Sequence, residues 1–268
     1  MRLVDLGQTQ NLWVVSDVHM RTPDDARTRA FCEFLDSVSG CDSLVLLGDI
    51  FDFINARQHF YFRHWREVFA RLRRLRERGV RVVFVEGNHD YGFDHSPCRE
   101  IRECFDECGD SVVRVTHPGI GQLLLLHSDD VVCPPSYRTF RALVKSNSFQ
   151  TLLSPVPGIA TSYLFSRYAQ MSRSKDKYRE LSSEFLTRCV DSFLESQRHA
   201  PADSLAMCIF GHIHVYLDDN RKNVRFLSGP DWFTAPNVLR IGEGGKVERS
   251  WLNAELQVPT QFYFERQR

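Results

Sequence analysis

Several short apolar runs in this sequence end on residues that carry carboxylate, amide or imidazole groups. Such a run is typical of a buried strand, and the side chains that follow it lie at the rim of the core, at the carboxyl edge of a sheet. A carboxylate in that position is costly unless a positive partner neutralises it. The chain is therefore constrained to a fold in which several strand ends meet around positive charge. The segments are VVSDVH, LVLLGD, VVFVEGNHD, LLLLHSD and CIFGHIH.

The spacing of the apolar runs predicts the fold class. In the first half, LWVVS, SLVLLG and VRVVFVEG alternate with longer helical patterns, which indicates βαβ units and a largely parallel sheet. A second set of strand patterns, from SVVRV to KVERSWL, is spaced more like hairpins and predicts a second sheet that is mixed or antiparallel. We therefore expect an α/β fold with two sheets flanked by helices.

Residues 134–200 interrupt the strand patterns with a long insert. Its helical patterning, its SPVPG break and its many aromatic and basic residues predict a helical cap within a single domain that spans residues 1–268. Most apolar residues of the insert would form the cap's own core. A remaining apolar face could hold acyl chains or touch a bilayer. The basic residues that would then lie near lipid phosphates are Arg138, Arg141, Lys145 and Arg167.

Composition restricts the function class. The 34 basic and 34 acidic side chains cancel, so global charge gives no support for a nucleic-acid partner. The N-terminus lacks the features of a secretory signal, and no run approaches the roughly 18 apolar residues that span a bilayer. The eight cysteines include no CxxC pair, which favours reduced structural thiols over a zinc ribbon. We expect a cytoplasmic protein that could rest on a membrane surface, without an obligate protein partner.

The strand ends together supply enough oxygen and nitrogen ligands for metal ions. One DxH or GHxH segment is a weak signal, because a histidine beside a strand is more often a core or surface residue. Five such segments in order are harder to dismiss, and ligands without thiolate suit Mn²⁺, Fe or Zn. A carboxylate shared by two cations about 3.5–4 Å apart would let both act on one phosphorus centre, so we predict hydrolysis of a phosphate ester or anhydride. The candidates are Asp17, His19, Asp49, Asn88, His89, Asp90, His127, His212 and His214.

The order DxH, GDxxD, GNHD, H and GHxH resembles the calcineurin-like metallophosphoesterase superfamily from residue 17 to residue 214. The resemblance implies a four-layer αββα sandwich with a cap insertion, and two divalent ions, Mn²⁺ first among them, bridged by Asp49. It implies that His89 stabilises the transition state or protonates the leaving oxygen, with Asp52 and Asp90 as supports around the metal ligands. The implied ligands are Asp17, His19 and His214 on one ion, and Asn88, His127 and His212 on the other.

Within that superfamily, the chain is similar to the UDP-2,3-diacylglucosamine pyrophosphohydrolases of lipid A synthesis. The similarity rests on VVCPPSYRTFRALV after His127, on the helical insert, and on SGPDW at 228–232. It implies a nucleotide-linked glycolipid substrate, release of UMP and 2,3-diacylglucosamine 1-phosphate (lipid X), and peripheral contact with the inner membrane. The cap residues that it implies for substrate binding are Arg167, Ser172, Arg173, Ser174, Lys175 and Lys177.

Departures from those pyrophosphohydrolases leave other functions open. His89 stands where they carry arginine, Ser128 where they carry glycine, and PPS at 134–136 replaces an acidic stretch. Because His89 matches the general phosphoesterase pattern, the alternative is a soluble phosphodiesterase or phosphatase that acts on a nucleotide or a phosphoprotein. A third hypothesis is a non-catalytic scaffold that has lost its metals, and the presence of all seven candidate ligands argues against it.

Overall fold

The computed structural model describes residues 2–133, 135–153, 155–163, 183–197, 205–232 and 235–251. No helix within these ranges is long and apolar enough to cross a membrane. The strands are β1 (Arg2–Gln8), β2 (Leu12–Val15), β3 (Ser43–Leu47), β4 (Ile54–Asn55), β5 (Arg81–Val85), β6 (Asp90–Tyr91), β7 (Glu107–Gly109), β8 (Ser111–His117), β9 (Gly121–Leu126), β10 (Leu205–Phe210), β11 (Asp218–Arg221), β12 (Val224–Ser228), β13 (Asn237–Ile241) and β14 (Val247–Trp251). The helices are α1 (Ala26–Ser37), α2 (His59–His64), α3 (Arg66–Glu77), α4 (Arg99–Arg102), α5 (Pro135–Val144), α6 (Asn147–Leu153) and α7 (Ser183–Gln197).

One sheet has the order β14-β13-β2-β3-β5-β7. Its β2, β3, β5 and β7 are parallel, as the alternating pattern of the first half predicts. All five residues of β3 are buried, which is what a strand covered on both faces requires. The prediction that the late strands join a different sheet was wrong for β13 and β14. The β13 strand pairs antiparallel with β2, because Leu239 and Ile241 lie opposite Val14 and Leu12 in a shared apolar register.

The other sheet has the order β1-β8-β9-β10-β12-β11 and is mixed, as predicted. Strands β9, β10 and β12 run parallel, while β8 and β9 form an antiparallel hairpin. The first strand, β1, pairs parallel with β8 and extends this sheet at its edge. The parallel strands bring the ends of β9 and β10 to the same side of the sheet.

The apolar side chains form layers that fit an αββα sandwich, which confirms the expected fold class. A central core lies between the two sheets and includes Val45 and Val83 from one sheet and Leu125 and Ile209 from the other. The outer face of the first sheet packs against α1, α2 and α3, in a core rich in aromatic rings. The outer face of the second sheet packs against Val190 and Phe193 of α7.

Helix α3 shows why the sequence favours these outer layers. Val68, Phe69, Leu72 and Leu75 recur at helical spacing and are buried against the sheet. The intervening arginines lie at the surface and form ion pairs, for example between Arg71 and Asp36. The arginine-rich stretch therefore forms the solvated face of this helix.

The described part of the insert contains α5, α6 and a helical stretch at 158–163. It is joined to the segment before α2 by side-chain hydrogen bonds. The Asn55 amide donates to Gln150 Oε1 at 2.7 Å, and the Gln58 amide donates to the Val156 carbonyl oxygen at 2.8 Å. The boundaries of the cap at 134–200 stay a prediction, because much of that stretch lies outside the described residues.

Candidate metal centre

The seven predicted metal ligands all follow strands of the two sheets. Asp17 and His19 follow β2, Asp49 follows β3, and Asn88 follows β5 in one sheet. His127 follows β9, and His212 and His214 follow β10, in the other sheet. Because both sets of parallel strands end at the same edge of the sandwich, side chains from opposite sheets meet there.

The backbone is strained at five of these seven positions. Positive φ angles of 54° at Asp17, 51° at His19, 53° at Asp49, 66° at His212 and 42° at His214 place them in the left-handed region. Residues other than glycine rarely adopt this conformation, and such strain persists mainly where a functional site requires it. The concentration of strained residues at one edge therefore marks that edge as a site.

The first ligand group consists of Asp17, His19 and His214. One ligand atom from each lies within 4.8 Å of those from the other two. The Nε2 atoms of His19 and His214 lie 3.9 and 3.7 Å from Asp17 Oδ1, too far for hydrogen bonds. Asp17 Oδ1 is buried and has no hydrogen-bond partner among the described residues. This arrangement fits a cation held between the three side chains.

The second ligand group consists of Asp49, His127 and His212, with Asn88 beside it. His127 Nε2 lies 3.4 Å from Asp49 Oδ1 and 3.2 Å from Asn88 Oδ1. The other oxygen of Asp49, Oδ2, lies 3.7 Å from His19 Nε2 in the first group. Because its two oxygens face the two groups, Asp49 is placed as a carboxylate that two cations could share.

Two of the four candidate histidine ligands are oriented by contacts to their second ring nitrogens. His127 Nδ1 lies 2.9 Å from the Leu47 carbonyl oxygen, and His214 Nδ1 lies 3.1 Å from Asp231 Oδ1. A carbonyl oxygen can only accept, so Nδ1 of His127 donates and its Nε2 faces the site. Contacts of this kind are usual for metal-binding histidines. Asp231 was not among the predicted site residues, although its place in SGPDW, shortly after GHIH, was a usable signal.

The tight turn after β3 requires glycine. Gly48 has a φ of +81°, and a Cβ atom there would overlap the His127 ring. The neighbouring Asp90 accepts from the backbone N–H groups of Gly87 and Ile50, each at 2.7 Å. Asp90 therefore holds the turns after β3 and β5 together, which supports the positions of Asp49 and Asn88.

Comparison with known proteins agrees with this geometry. The profile of the family described as calcineurin-like phosphoesterase matches residues 11–216. The chain belongs to the calcineurin-like phosphoesterase family. Membership makes it a metal-dependent phosphoesterase and implies two divalent ions, for which the ligand groups on either side of Asp49 are the candidate sites.

Several curated relatives of this phosphoesterase carry the same name. Proteins named UDP-2,3-diacylglucosamine hydrolase are 29% identical in Azotobacter vinelandii, 29% in Chromohalobacter salexigens and 26% in Stenotrophomonas maltophilia K279a. The aligned regions cover 87%, 87% and 86% of this chain. They cover 95%, 91% and 94% of the respective relatives. The similarity therefore extends over the metal centre and over most of the rest of the molecule.

Burial and charge shift the pKa values of the phosphoesterase's candidate ligands. Burial raises the pKa of the Asp17 carboxyl to about 6. Burial also acts on Asp49, but the His127 and His89 rings lower its pKa well below the usual value. Burial lowers the pKa of His212 to about 3, while Asp49 overcomes the burial of His127 and raises its pKa to about 10. The buried carboxylates therefore depend on nearby positive charge, which bound cations would supply.

His89, Asp52 and Asp90, which were predicted to act in catalysis or to support the metal ligands, lie around Asp49. The His89 backbone N–H donates to Asp49 Oδ1 at 2.9 Å, and its Nδ1 lies 2.9 Å from the Asp52 carbonyl oxygen. The His89 side chain is 14% exposed. The Asp52 carboxylate lies 3.7 Å from His19 Nδ1, on the side of that ring away from Asp17. His89 is therefore the one of the three that lies partly open to solvent.

The residues predicted to bind substrate do not share one environment in the structure. Arg138 is exposed on α5. The Arg141 guanidinium group donates to Asp129 at 2.6 Å and to Asp110 at 2.6 and 3.1 Å. These contacts anchor α5, and a role of Arg141 in substrate binding stays a prediction. The predicted substrate-binding residues that lie outside the described residues are Arg167, Ser172, Arg173, Ser174, Lys175 and Lys177.

Proposed function

We propose that this phosphoesterase cleaves the pyrophosphate bond of UDP-2,3-diacylglucosamine with the help of two Mn²⁺ ions. The products would be UMP and 2,3-diacylglucosamine 1-phosphate. The proposal is supported by relatives of that name, to which the chain aligns over nearly their whole length. The observation that carries it is the placement of Asp49 between two ligand groups, which suits attack on a phosphorus centre.

In the proposed reaction, Asp17, His19 and His214 hold one ion and Asn88, His127 and His212 hold the other, with Asp49 shared. When bound, the ions neutralise phosphoryl oxygens and favour deprotonation of water near pH 7. Because the Asp52 carbonyl oxygen can only accept, His89 carries its proton on Nδ1 and presents Nε2 to the reacting phosphate. In its charged form, His89 can donate from Nε2 to the leaving oxygen or to the transition state.

The cap would bind the glycolipid portion of the substrate. Arg138 and Arg141 on α5 are the described basic residues proposed for this role, together with Arg167, Ser172, Arg173, Ser174, Lys175 and Lys177. The exposed side chains of Phe140, Leu143 and Leu152 supply apolar surface on the described part of the cap. We place the enzyme at the cytoplasmic face of the inner membrane, held peripherally by this surface and by nearby basic groups.

The second candidate function is hydrolysis of a soluble nucleotide ester or phosphoprotein. It is favoured by one specific observation, the histidine at position 89, whose Nδ1 lies 2.9 Å from the Asp52 carbonyl oxygen and whose Nε2 lies 3.9 Å from Asp49 Oδ2. In this case the metal centre would act in the same way, and the cap would bind another phosphate ester.

Product analysis distinguishes the two candidates. The Mn²⁺-loaded protein is incubated with UDP-2,3-diacylglucosamine and, separately, with an aryl phosphodiester, and the products are identified by mass spectrometry. We expect UMP and diacylglucosamine 1-phosphate to form far faster than the aryl alcohol. Cleavage of the aryl ester alone would remove the glycolipid assignment and favour the second candidate.

A further inference from the structure

A separate group of ligand atoms lies where α2 and α4 begin, and it contains a thiol. Cys98 Sγ lies 3.2 Å from Glu100 Oε2 and 3.9 Å from His59 Nδ1. One ligand atom from each of the three residues lies within 4.8 Å of the others. The group shares no residue with the metal centre that contains Asp49.

The distances within this group fit tetrahedral coordination. With Zn–S near 2.3 Å and Zn–N or Zn–O near 2.0–2.2 Å, two ligands of a tetrahedral ion lie about 3.6 Å apart. The two distances from Cys98 Sγ fall on either side of this value. Little movement of the Glu100 and His59 side chains would therefore place all three atoms around one ion, with a fourth position left for water.

The ligand types differ from those of the catalytic centre. Thiolate with imidazole and carboxylate suits Zn²⁺, whereas Mn²⁺ prefers oxygen ligands. We propose that His59, Cys98 and Glu100 form a third metal site, selective for Zn²⁺ over Mn²⁺. This site has no part in the chemistry at Asp49.

The backbone around the third site is well supported. Cys98 is fully buried, and its backbone N–H donates to Ser96 Oγ at 3.1 Å. Arg73 of α3 donates to the Glu100 carbonyl oxygen at 3.3 Å. His59 is exposed at the first position of α2, so an ion can reach the group from solvent. The site combines one fixed thiol with two accessible ligands.

The position of the third site gives it a structural consequence. His59 lies between Gln58, which donates to the Val156 carbonyl oxygen of the cap, and Phe60, whose side chain lies against Gly158. An ion that joins His59 to Cys98 would fix the start of α2, on which this part of the cap rests. Because the ion would bind the folded chain and not the unfolded chain, its binding would also stabilise the fold. We therefore expect Zn²⁺ to stiffen the support of the cap.

Cobalt is a suitable probe, because Co²⁺ bound to thiolate shows a charge-transfer absorption that nitrogen and oxygen ligands do not produce. The full chain, loaded with Mn²⁺, is titrated with Co²⁺. We expect the thiolate band in the wild type and in Cys32→Ser, a matched change of a half-buried thiol on α1. The band should be absent in Cys98→Ser, and His59→Ala should weaken Co²⁺ binding at least about tenfold.

Two results would overturn this proposal. One is a wild type without the thiolate band, which would mean that the Cys98 thiol only donates a hydrogen bond to Glu100. The other is a band that persists unchanged in His59→Ala, an exposed substitution that should fold even if Cys98→Ser does not. Neither readout uses activity, so the third site can fail while the proposed function stands, and the reverse also holds.

Discussion

At the scale of single residues, the metal centre depends on side chains held by strained backbone. Each left-handed residue costs on the order of 1–3 kcal/mol relative to a relaxed conformation. Asp17, His19, Asp49, His212 and His214 all carry this cost at one edge of the sandwich. Because five of the eight described non-glycine residues with positive φ are these candidate ligands, the strain is best explained by the need to aim their side chains at shared cations.

His89 should affect the chemical step and leave the ions in place. We expect His89→Ala to lower kcat by about 10²–10⁴, the usual contribution of a general acid or base. Metal content measured by elemental analysis should stay at the wild-type level, because His127 and Asn88 are unchanged. A loss of bound metal that parallels the loss of kcat would instead make His89 a ligand.

Asp231 should affect metal affinity through His214. Asp231→Ala removes the contact to Nδ1, so we expect metal affinity to fall by about 10–100-fold, with activity recovered in excess Mn²⁺. Asp219→Ala is a suitable control, since Asp219 pairs with Arg221 rather than with a ligand histidine. The metal affinity of both variants is measured by titrating each with Mn²⁺ and following its activity. Unchanged metal affinity in Asp231→Ala would show that this contact does not orient His214.

At the scale of elements, α5 is anchored to the sheets by a partly buried charge network. Arg141 donates to Asp129 and Asp110, and Lys145 Nζ lies 3.5 Å from Asp110 and 3.8 Å from Glu86. Asp129 is two residues beyond His127 on the same loop. The first helix of the insert is therefore connected to the loop that carries a metal ligand.

Asp110 makes this anchor sensitive to pH. Burial opposes its charge, but Lys145 and Arg141 lower its pKa to about 2. Relative to the ordinary value of 3.8, this shift corresponds to about 2 kcal/mol. Because the folded pKa is depressed, that stabilisation is fully present above about pH 4 and is lost as the pH falls toward 2.

Substitution of Asp110 tests the anchor. Asp110→Asn should lower the free energy of unfolding at pH 7 by about 2 kcal/mol, and the difference from the wild type should shrink as the pH falls below about 4. Urea unfolding across this pH range measures it. The exposed pair of Asp36 with Arg71 provides a control, Asp36→Asn, for which we expect well under about 1 kcal/mol. If the difference in unfolding free energy between Asp110→Asn and the wild type did not change with pH, the Asp110 carboxylate would not be the charge that anchors α5.

At the scale of the whole molecule, the sequence predicts the position of the site better than it predicts how the strands are divided between the two sheets. An apolar run that ends on a ligand residue is a local pattern, and parallel strands then bring such ends together. All seven candidate ligands, from Asp17 to His214, meet in the structure for this reason. Their roles as ligands stay a prediction of the fold and the family.

Partner choice between distant strands was less predictable. Strand β13 follows β12 closely in sequence but crosses to β2, and β1 joins β8. These choices depend on which apolar faces remain uncovered once the other strands have paired, and local periodicity does not contain that information. The ion pairs of Arg141 were not predicted for a similar reason, since its partners Asp110 and Asp129 lie at least twelve residues away.

We propose that Asp49 joins two cations in one catalytic centre. The most direct test is elemental analysis of the Mn²⁺-loaded chain and of Asp49→Asn, with Asp36→Asn as the control. We expect two ions per chain in the wild type and the control. Asp49→Asn should retain one ion at most, with turnover lowered by at least about a hundredfold. A wild type that binds no Mn²⁺, or an Asp49→Asn protein that keeps both ions and full activity, would rule out a centre of two cations joined by Asp49.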